Sequence, residues 1–317
     1  MGEEMEGVQG DTGWRKSITQ TRDRWQSWVL VAVVGTLLAG LSVYSLFVAY
    51  PSAVKFTALP VEAIEISIGF ALLVRALRAA TLGGAVCGGM ICFLITFWTG
   101  SLMESVLRTG LTPLILLFVL TFVSTRAGRT RKVRTGLAES KRGRSAAQVI
   151  ANLSVAALSV SPLSVIPVKR WIVSCCVSGI DDGSSFEMVR VMCVAALVEA
   201  TADTVSSEIG QAFGGSPVLI TGLRRVEPGT DGAVTLFGSC AGVAGGALVA
   251  IAGGWAMHLS AGAILTTLGA GVGGLFFDSV LGATVERRGW IGNELVNFTS
   301  TLFAAALAAV VFRFFVL

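Results

Sequence analysis

In 317 residues the chain carries 53% hydrophobic and only 14% charged side chains, at a mean hydropathy of +0.76, which excludes a soluble globular core and describes a polytopic membrane protein. The net charge of +4 is small and locally concentrated, so nucleic acid is not an expected partner. Glycine at 38 and proline at 7 suit helices that pack closely in lipid, and the six cysteines (Cys87, Cys92, Cys175, Cys176, Cys193, Cys240) lie mostly in apolar runs without metal-ligand spacing.

Residues 1–25 read as a polar cytoplasmic tail of mixed charge, without the composition of a cleaved signal or transit peptide. Residues 26–317 read as a single integral-membrane domain. The first span, 28–50, exceeds the ~20 residues a bilayer requires and has Trp25, Trp28, Tyr44 and Tyr50 near its edges. Further spans are expected at 60–75, 82–98 and 111–124. The last of these delivers the chain to a basic loop at 126–146, where eight Arg or Lys residues between Arg126 and Arg144 face one Glu139. The positive-inside rule makes that loop cytoplasmic, and counting back through four spans puts the N-terminus on the same side.

A fifth span covers 148–168, bent or ended by Pro162 and Pro167. Residues 169–185 read as a re-entrant or interfacial piece, because the apolar run inside them is too short to cross. Spans at 186–206, 233–257, 261–283 and 291–316 complete an all-α fold of about nine transmembrane helices in a glycine-rich bundle, N-terminus cytoplasmic. Gly238, Gly242 and Gly246, four residues apart, read as a packing seam. The lone histidine, His258, falls on the outer side, which argues against histidine-based catalysis.

The stretch 199–232 carries the chemistry. A carboxylate at mid-bilayer costs roughly 2.5–3.5 kcal/mol, so acids there ordinarily have a task. Glu199, Asp203 and Ser207 recur every four residues and share one helix face, with Thr204 and Glu208 in the adjacent row, a face able to hold a divalent metal. Asp278 has Gly274 and Gly282 one turn away, room for another helix to approach, which suits a shared metal or a buried hydrogen bond. The turn 228–232, P-G-T-D-G, comes just before an apolar helix, so its backbone N–H groups can meet phosphate; the plainer reading is a helix cap by Thr230 or Asp231. Asn293 and Asn297 align at i, i+4, for ligand or for interhelical hydrogen bonds. The basic loop sets topology, while Arg126, Lys132 and Arg144 within it are candidates to neutralise phosphate. All these groups fall at the cytoplasmic ends of their helices.

The segments S-T-R-A-G-R-T-R-K (124–132), G-R-S-A-A-Q-V-I-A-N (143–152), A-D-T-V-S-S-E-I-G (202–210), L-I-T-G-L-R-R-V-E-P-G-T-D-G (219–232), D-S-V-L-G-A-T (278–284) and N-E-L-V-N (293–297) resemble, in order, the transmembrane protein 19 family, first catalogued as domain of unknown function 92. That group includes the plant phytyl-phosphate kinases. The resemblance implies transfer of a phosphoryl group from a nucleoside triphosphate, CTP in those members, to an isoprenyl monophosphate of phytyl, geranylgeranyl or farnesyl type.

On that implication Asp203 and Asp278 are the catalytic acids. With Glu208 they hold Mg2+, while Arg126, Lys132, Arg144, Arg224, Gly229, Thr230, Gly232, Asn293 and Asn297 bind phosphate and nucleotide, and the prenyl tail lies in the glycine-lined bundle. The sequence departs from the family pattern at Leu153, Val205, Ala233 and Glu286, the last adding negative charge beside the phosphate site. The alternative is a transporter or scaffold that uses the same acids for ion or proton coupling. Arg126, Arg129, Arg144, Arg224 and Arg225 favour a triphosphate site over a cation path.

Overall fold

The computed structural model describes residues 18–49, 59–100, 104–137, 143–175 and 182–316; expectations for 1–17, 138–142 and 176–181, Cys176 among them, lie outside these. The chain builds α1 (Gln20–Tyr44, continued by a π turn at Ser45–Ala49), α2 (Leu59–Ala76), α3 (Leu82–Thr99), α4 (Leu111–Arg126) and the short α5 (Arg129–Arg134). Then follow α6 (Ala146–Val160), α7 (Pro162–Cys175), α8 (Asp182–Phe213), α9 (Leu236–Met257), α10 (Ala261–Leu281, ending in a π turn at Gly282–Glu286) and α11 (Asn293–Phe315). Hydroxyl side chains fix where many helices start. Thr19, Thr81, Ser145, Thr235 and Ser260 each accept a bond from an N–H of the first turn, and Ser145 with Gln148 forms a reciprocal capping box.

Helix α8 is the axis of the bundle. Its 32 residues run farther than a bilayer core is thick, and between Met188 and Ala202 small side chains (Val, Ala, Cys, Thr) are almost wholly buried under α4, α6, α9, α10 and α11. The glycine seam of α9 packs here as the spacing suggests: a Cβ added at Gly242 would come within 2.5 Å of the Ala202 carbonyl oxygen, and one at Gly238 within 2.5 Å of that of Ser206. Backbone touching backbone leaves no room for a hydrocarbon chain, so the seam cannot house a prenyl tail. Cys87, Cys92 and Cys193 are free and buried as expected, but Cys240 is exposed on the outer face of α9.

The protein is an all-α integral-membrane bundle. Among the described residues, five helical stretches can cross a membrane by length and apolarity, Gln20–Val48, Leu82–Thr99, Leu236–Met257, Ala261–Glu286 and Asn293–Phe315, and a sixth if the bent pair Ala146–Val160 and Pro162–Arg170 counts as one span. That pair turns through 54° at Ser161, because proline at 162 starts a new helix instead of continuing the old one. α4 is apolar but has 16 residues, and α2 and α8 carry charges along their length. One element was not expected: a two-residue antiparallel pair, β1 (Val218–Leu219) with β2 (Ala233–Val234), in register Val218↔Val234.

The two ends of α8 differ in their neighbours. At one end Glu187 Oε1 accepts from the Ser260 N–H (3.2 Å), Arg190 donates to the Met257 carbonyl (3.3 Å), and His258 Nε2 lies 3.1 Å from Glu104 Oε1. At the other, 21 residues on and about 32 Å farther along the helix, Glu208 meets Lys132. His258 and the basic loop therefore lie at opposite ends of the bundle. Gln26 of α1 bonds to Trp290 O (2.9 Å) and accepts from the Gly292 N–H (2.8 Å), which brings the start of α1 to the end that holds the basic loop.

Candidate functional site

Where α8 leaves the buried core, a polar cavity of about 300 Å³ opens between four helices and the 214–235 connection. From the start of α6 come Arg144, Gln148 and Asn152; from α8, Asp203, Thr204, Ser207 and Glu208; from α10, Asp278, Ser279 and Glu286; and from α11, Asn293 and Asn297. Gly229, Thr230, Asp231 and Gly232 close it from the connection. Residues more than 140 positions apart in sequence thus converge on one space. Of the expected set, Asp203, Glu208, Asp278, Arg144, Gly229, Thr230, Gly232, Asn293 and Asn297 line it.

Lys132, Arg126 and Arg224 do not. Lys132 is 1% exposed and its ammonium is fully engaged: it pairs with Glu208 Oε2 at 2.5 Å and donates to the carbonyls of Ser124 (3.2 Å) and Thr125 (2.7 Å). Its place is that of a structural strut outside the cavity. Arg224 lies exposed on the loop between β1 and β2, away from the cavity, its carbonyl accepting from the Leu219 N–H (2.9 Å). Arg126 faces a neighbouring cavity, taken up below.

The turn 228–232 also differs from its expected role. It does not open α9, because β2 intervenes and Thr235 caps that helix by accepting from the Gly238 N–H (3.1 Å). The Thr230 hydroxyl donates to the Glu227 carbonyl (2.7 Å). Gly232, at φ +72°, is a glycine for packing: a Cβ there would lie 2.5 Å from Ser279 O and run into the backbone nitrogen of Ala283. Gly229, at φ +89°, likewise abuts Leu137. Asp231, outside the spanning helices, has its carboxyl pushed up to about 6 by burial, against the opposing pull of Arg287.

The acids at the floor are arranged differently from those at the rim. The Ser300 hydroxyl donates to Asp278 Oδ2 (3.0 Å) or to the Asn297 carbonyl (3.0 Å). The Asn297 amide can face Asn152 Oδ1 (3.4 Å). Turned the other way, its nitrogen reaches Asp278 Oδ2 (3.3 Å) and Asn293 O (3.2 Å), both acceptors, and that orientation satisfies its surroundings better. Glu199 sits just behind, 1% exposed, with neither carboxylate oxygen hydrogen-bonded. Ser300 has a single proton and spends it elsewhere. Gly274 makes space for this side chain: a Cβ there would lie 2.5 Å from Glu199 Cγ, so the glycine read as clearing an approach to Asp278 in fact admits Glu199.

Glu199, Asp203 and Asp278 lie within electrostatic reach of one another, and Arg144 lies within reach of Asp203. The orphaned oxygens belong to Glu199; Asp203 and Asp278, in front of it, are the acceptors that could meet a hard divalent cation. The expected three-carboxylate set is not formed, however. Among the described residues no group of three His, Cys, Asp or Glu side chains is positioned to hold a metal, and Glu208 is already committed to Lys132. Asp203 and Asp278 remain, which fits Mg2+, an ion that takes one or two carboxylates and completes its shell with phosphate oxygens and water.

Gln148 and Asn152 were not picked out in advance as site residues. Their signal was available: a Ser-x-x-Gln box at 145–148 opens an apolar helix, and Gln148 with Asn152 repeats the i, i+4 amide pattern that singled out Asn293 and Asn297.

Residues 65–305 match the family profile described as Integral membrane protein DUF92. The chain belongs to that family. Within it the chain is similar to an uncharacterized membrane protein of Methanocaldococcus jannaschii (35% identical over 127 residues, 40% of this chain and 53% of that one) and to one of Synechocystis (30% over 186 residues, 58% and 66%). It is also similar to the chloroplastic protein VTE6 of Arabidopsis thaliana, at 26% over 205 residues, 62% and 56% of the two chains. The chain therefore spans between about half and two thirds of the length of the curated relatives it matches. No solved structure matches it.

Proposed function

We propose that the protein is a Mg2+-dependent phosphotransferase that converts an isoprenyl monophosphate to the diphosphate with a nucleoside triphosphate, CTP being the favoured donor. The observation that carries this reading is the polar cavity at one end of a membrane bundle, in which Asp203 and Asp278, at its floor, share the space with amide and hydroxyl groups, with Arg144 and with three further acids, Glu208, Asp231 and Glu286. Membership of a family that includes plant phytyl-phosphate kinases supplies the substrate class.

In this reading Asp203 and Asp278 hold the metal, which would supply charge compensation at the phosphates. Asn297 and Ser300 fix the Asp278 carboxylate by donating to Oδ2. Arg144 offers a planar fork to phosphate oxygens, and Asn293 and Gln148 add uncharged contacts. An oxygen of the prenyl monophosphate attacks the terminal phosphorus of the nucleotide, a new P–O bond forms as the β–γ bridge breaks, and the nucleoside diphosphate leaves. The chemistry asks mainly for positioning and charge compensation, which this set provides without a histidine base. The cavity would face the cytoplasm, with the start of α1 on the same side and the charged helices α2 and α8 and the short α4 crossing as well, for nine crossings.

Glu199, buried and unpartnered, is what a proton-coupled transporter would also display. Arg144 in the wall of the same cavity disfavours a cation path. The test is purified protein with Mg2+, each nucleoside triphosphate and a panel of prenyl monophosphates, with product read by mass spectrometry. A prenyl diphosphate formed only with Mg2+ is expected; its absence, with an active family member as control, would leave the transporter reading in place.

A further inference from the structure

A second cavity, of about 370 Å³, lies beside the polar one; it shares α6 with it and is otherwise built from α2, α3 and α4. Its walls are apolar, with Phe70 and Val74 on one side and Leu117, Phe118 and Phe122 on the other. Phe70 and Phe118 meet edge to face, ring centres 5.5 Å apart. Its mouth is basic, formed by Arg78, Arg126 and Arg129. Among the described residues no carboxylate forms an ion pair with these three. Arg144 and Asn152 line both cavities and so form the wall that the two share.

This wall is built into the fold. Arg144 donates its N–H to Ala79 O (2.9 Å) and accepts from the Thr81 N–H (3.0 Å), so the loop is stitched to the turn between α2 and α3. Gly143, at φ +78°, allows this: a Cβ there would lie 2.5–2.6 Å from the backbone of residues 78–80. Arg126 is likewise held, its guanidinium 3.3 Å above the Phe122 ring and donating to Leu77 O (3.3 Å). Positions along α4 from Leu114 to Arg126 line the cavity, about 18 Å of helix, which places its depth on the scale of one bilayer leaflet.

An apolar slot of that depth under a rim of arginines complements an amphiphile with an anionic phosphate head and a hydrocarbon tail. We propose that this cavity, not the glycine seam, binds the phosphomonoester acceptor: the chain lies between α2 and α4, the head rests at Arg126 and Arg129, and the phosphate reaches the metal-binding cavity past Arg144 and Asn152. The proposal rests on the phosphotransferase reading and adds to it the place and direction of acceptor entry. A bilayer phospholipid carries the same two chemical features and is the competing source of occupancy.

Photolabelling distinguishes them without relying on turnover. The probe is farnesyl monophosphate carrying a diazirine in the chain, applied to the purified protein, with the labelled peptides mapped by mass spectrometry. Labels are expected in 66–80 and 114–126, competed by unlabelled farnesyl monophosphate and at least tenfold less well by farnesol or phosphatidylglycerol. Phe118→Trp, which fills the slot, and Arg129→Gln, on the exposed rim, should each cut labelling about tenfold while the thermal shift given by Mg2+ and CTP is retained. Labelling of α8–α10 instead, or equal competition by phosphatidylglycerol, overturns the acceptor site. Labelling as expected in protein that forms no diphosphate overturns the phosphotransfer reading and leaves a site for prenyl phosphates.

Discussion

The two ends of α8 hold similar numbers of charges and use them in opposite ways. At the end near His258 the polar groups have partners: Arg108 donates to Trp255 O (2.6 Å) and stacks on its indole at 3.9 Å, Arg190 and Glu187 bond to the turn between α9 and α10, and His258 pairs with Glu104. At the other end Lys132 and Glu208 are matched in the same manner, but deeper in the bundle Glu199 has no hydrogen-bond partner among the described residues and lies within electrostatic reach of Asp203 and Asp278. A membrane bundle tolerates charge cheaply when it is paired. Polar groups left unmatched in the interior are the ones a ligand is expected to complete, so the lack of partners points to the site more sharply than the acids alone do.

The comparison breaks most visibly at Lys132. If it is a strut, Lys132→Met leaves Glu208 without its partner in a largely buried place and should cost about 3–5 kcal/mol of stability, recovered in large part by adding Glu208→Gln. Unfolding midpoints of the single and double variants measure this. A stable Lys132→Met protein that has merely lost nucleotide affinity would return Lys132 to the phosphate site. Next come the acids: Asp203→Asn and Asp278→Asn should each lower Mg2+-dependent turnover by at least about a hundredfold while the fold persists, the usual scale for losing a group that compensates developing charge. Near-normal turnover in both would remove the metal assignment.

Gly232→Ala sharpens the same contrast. Because the new methyl would strike the backbone of Ala283, it should cost roughly 1–3 kcal/mol of stability whether or not nucleotide binds. A variant as stable as wild type that binds nucleotide poorly would instead mark the turn as a phosphate cradle. The smallest effect belongs to the paired, half-exposed end, where Glu104→Gln should shift stability by less than about 1 kcal/mol. A larger loss there would mean that the pair is more insulated from water than its exposure indicates.

Much of this was legible in the sequence, for local reasons. Asp203 and Asp278 stand out because an acid in an apolar helix is visible one residue at a time, and the α9 glycine seam because its spacing is regular. What was not legible depended on other helices. Nothing local separates Lys132 from Arg144 among eight basic neighbours; one turns inward to Glu208 and the other is pinned to the α2–α3 turn by Gly143. The 228–232 turn looked like the start of α9 because β2 pairs with residues some fifteen positions earlier, a non-local contact. Helix spacing alone puts Glu199 on the face of Asp203, but only Gly274 on α10 shows that it is admitted directly behind the other acids. The second cavity was missed because Phe70, Phe118 and Arg144 come from three separate segments.

The central claim is that Asp203 and Asp278 form an incomplete site for a metal–nucleotide complex, and ligand-induced stabilisation tests it most directly. With CTP at about a hundred times its dissociation constant, the wild-type protein should gain about 2.7 kcal/mol, read as a rise in thermal midpoint. This rise should require Mg2+ and disappear in the Asp203→Asn/Asp278→Asn double variant. A rise of equal size in EDTA, or one that persists in the double variant, would contradict it.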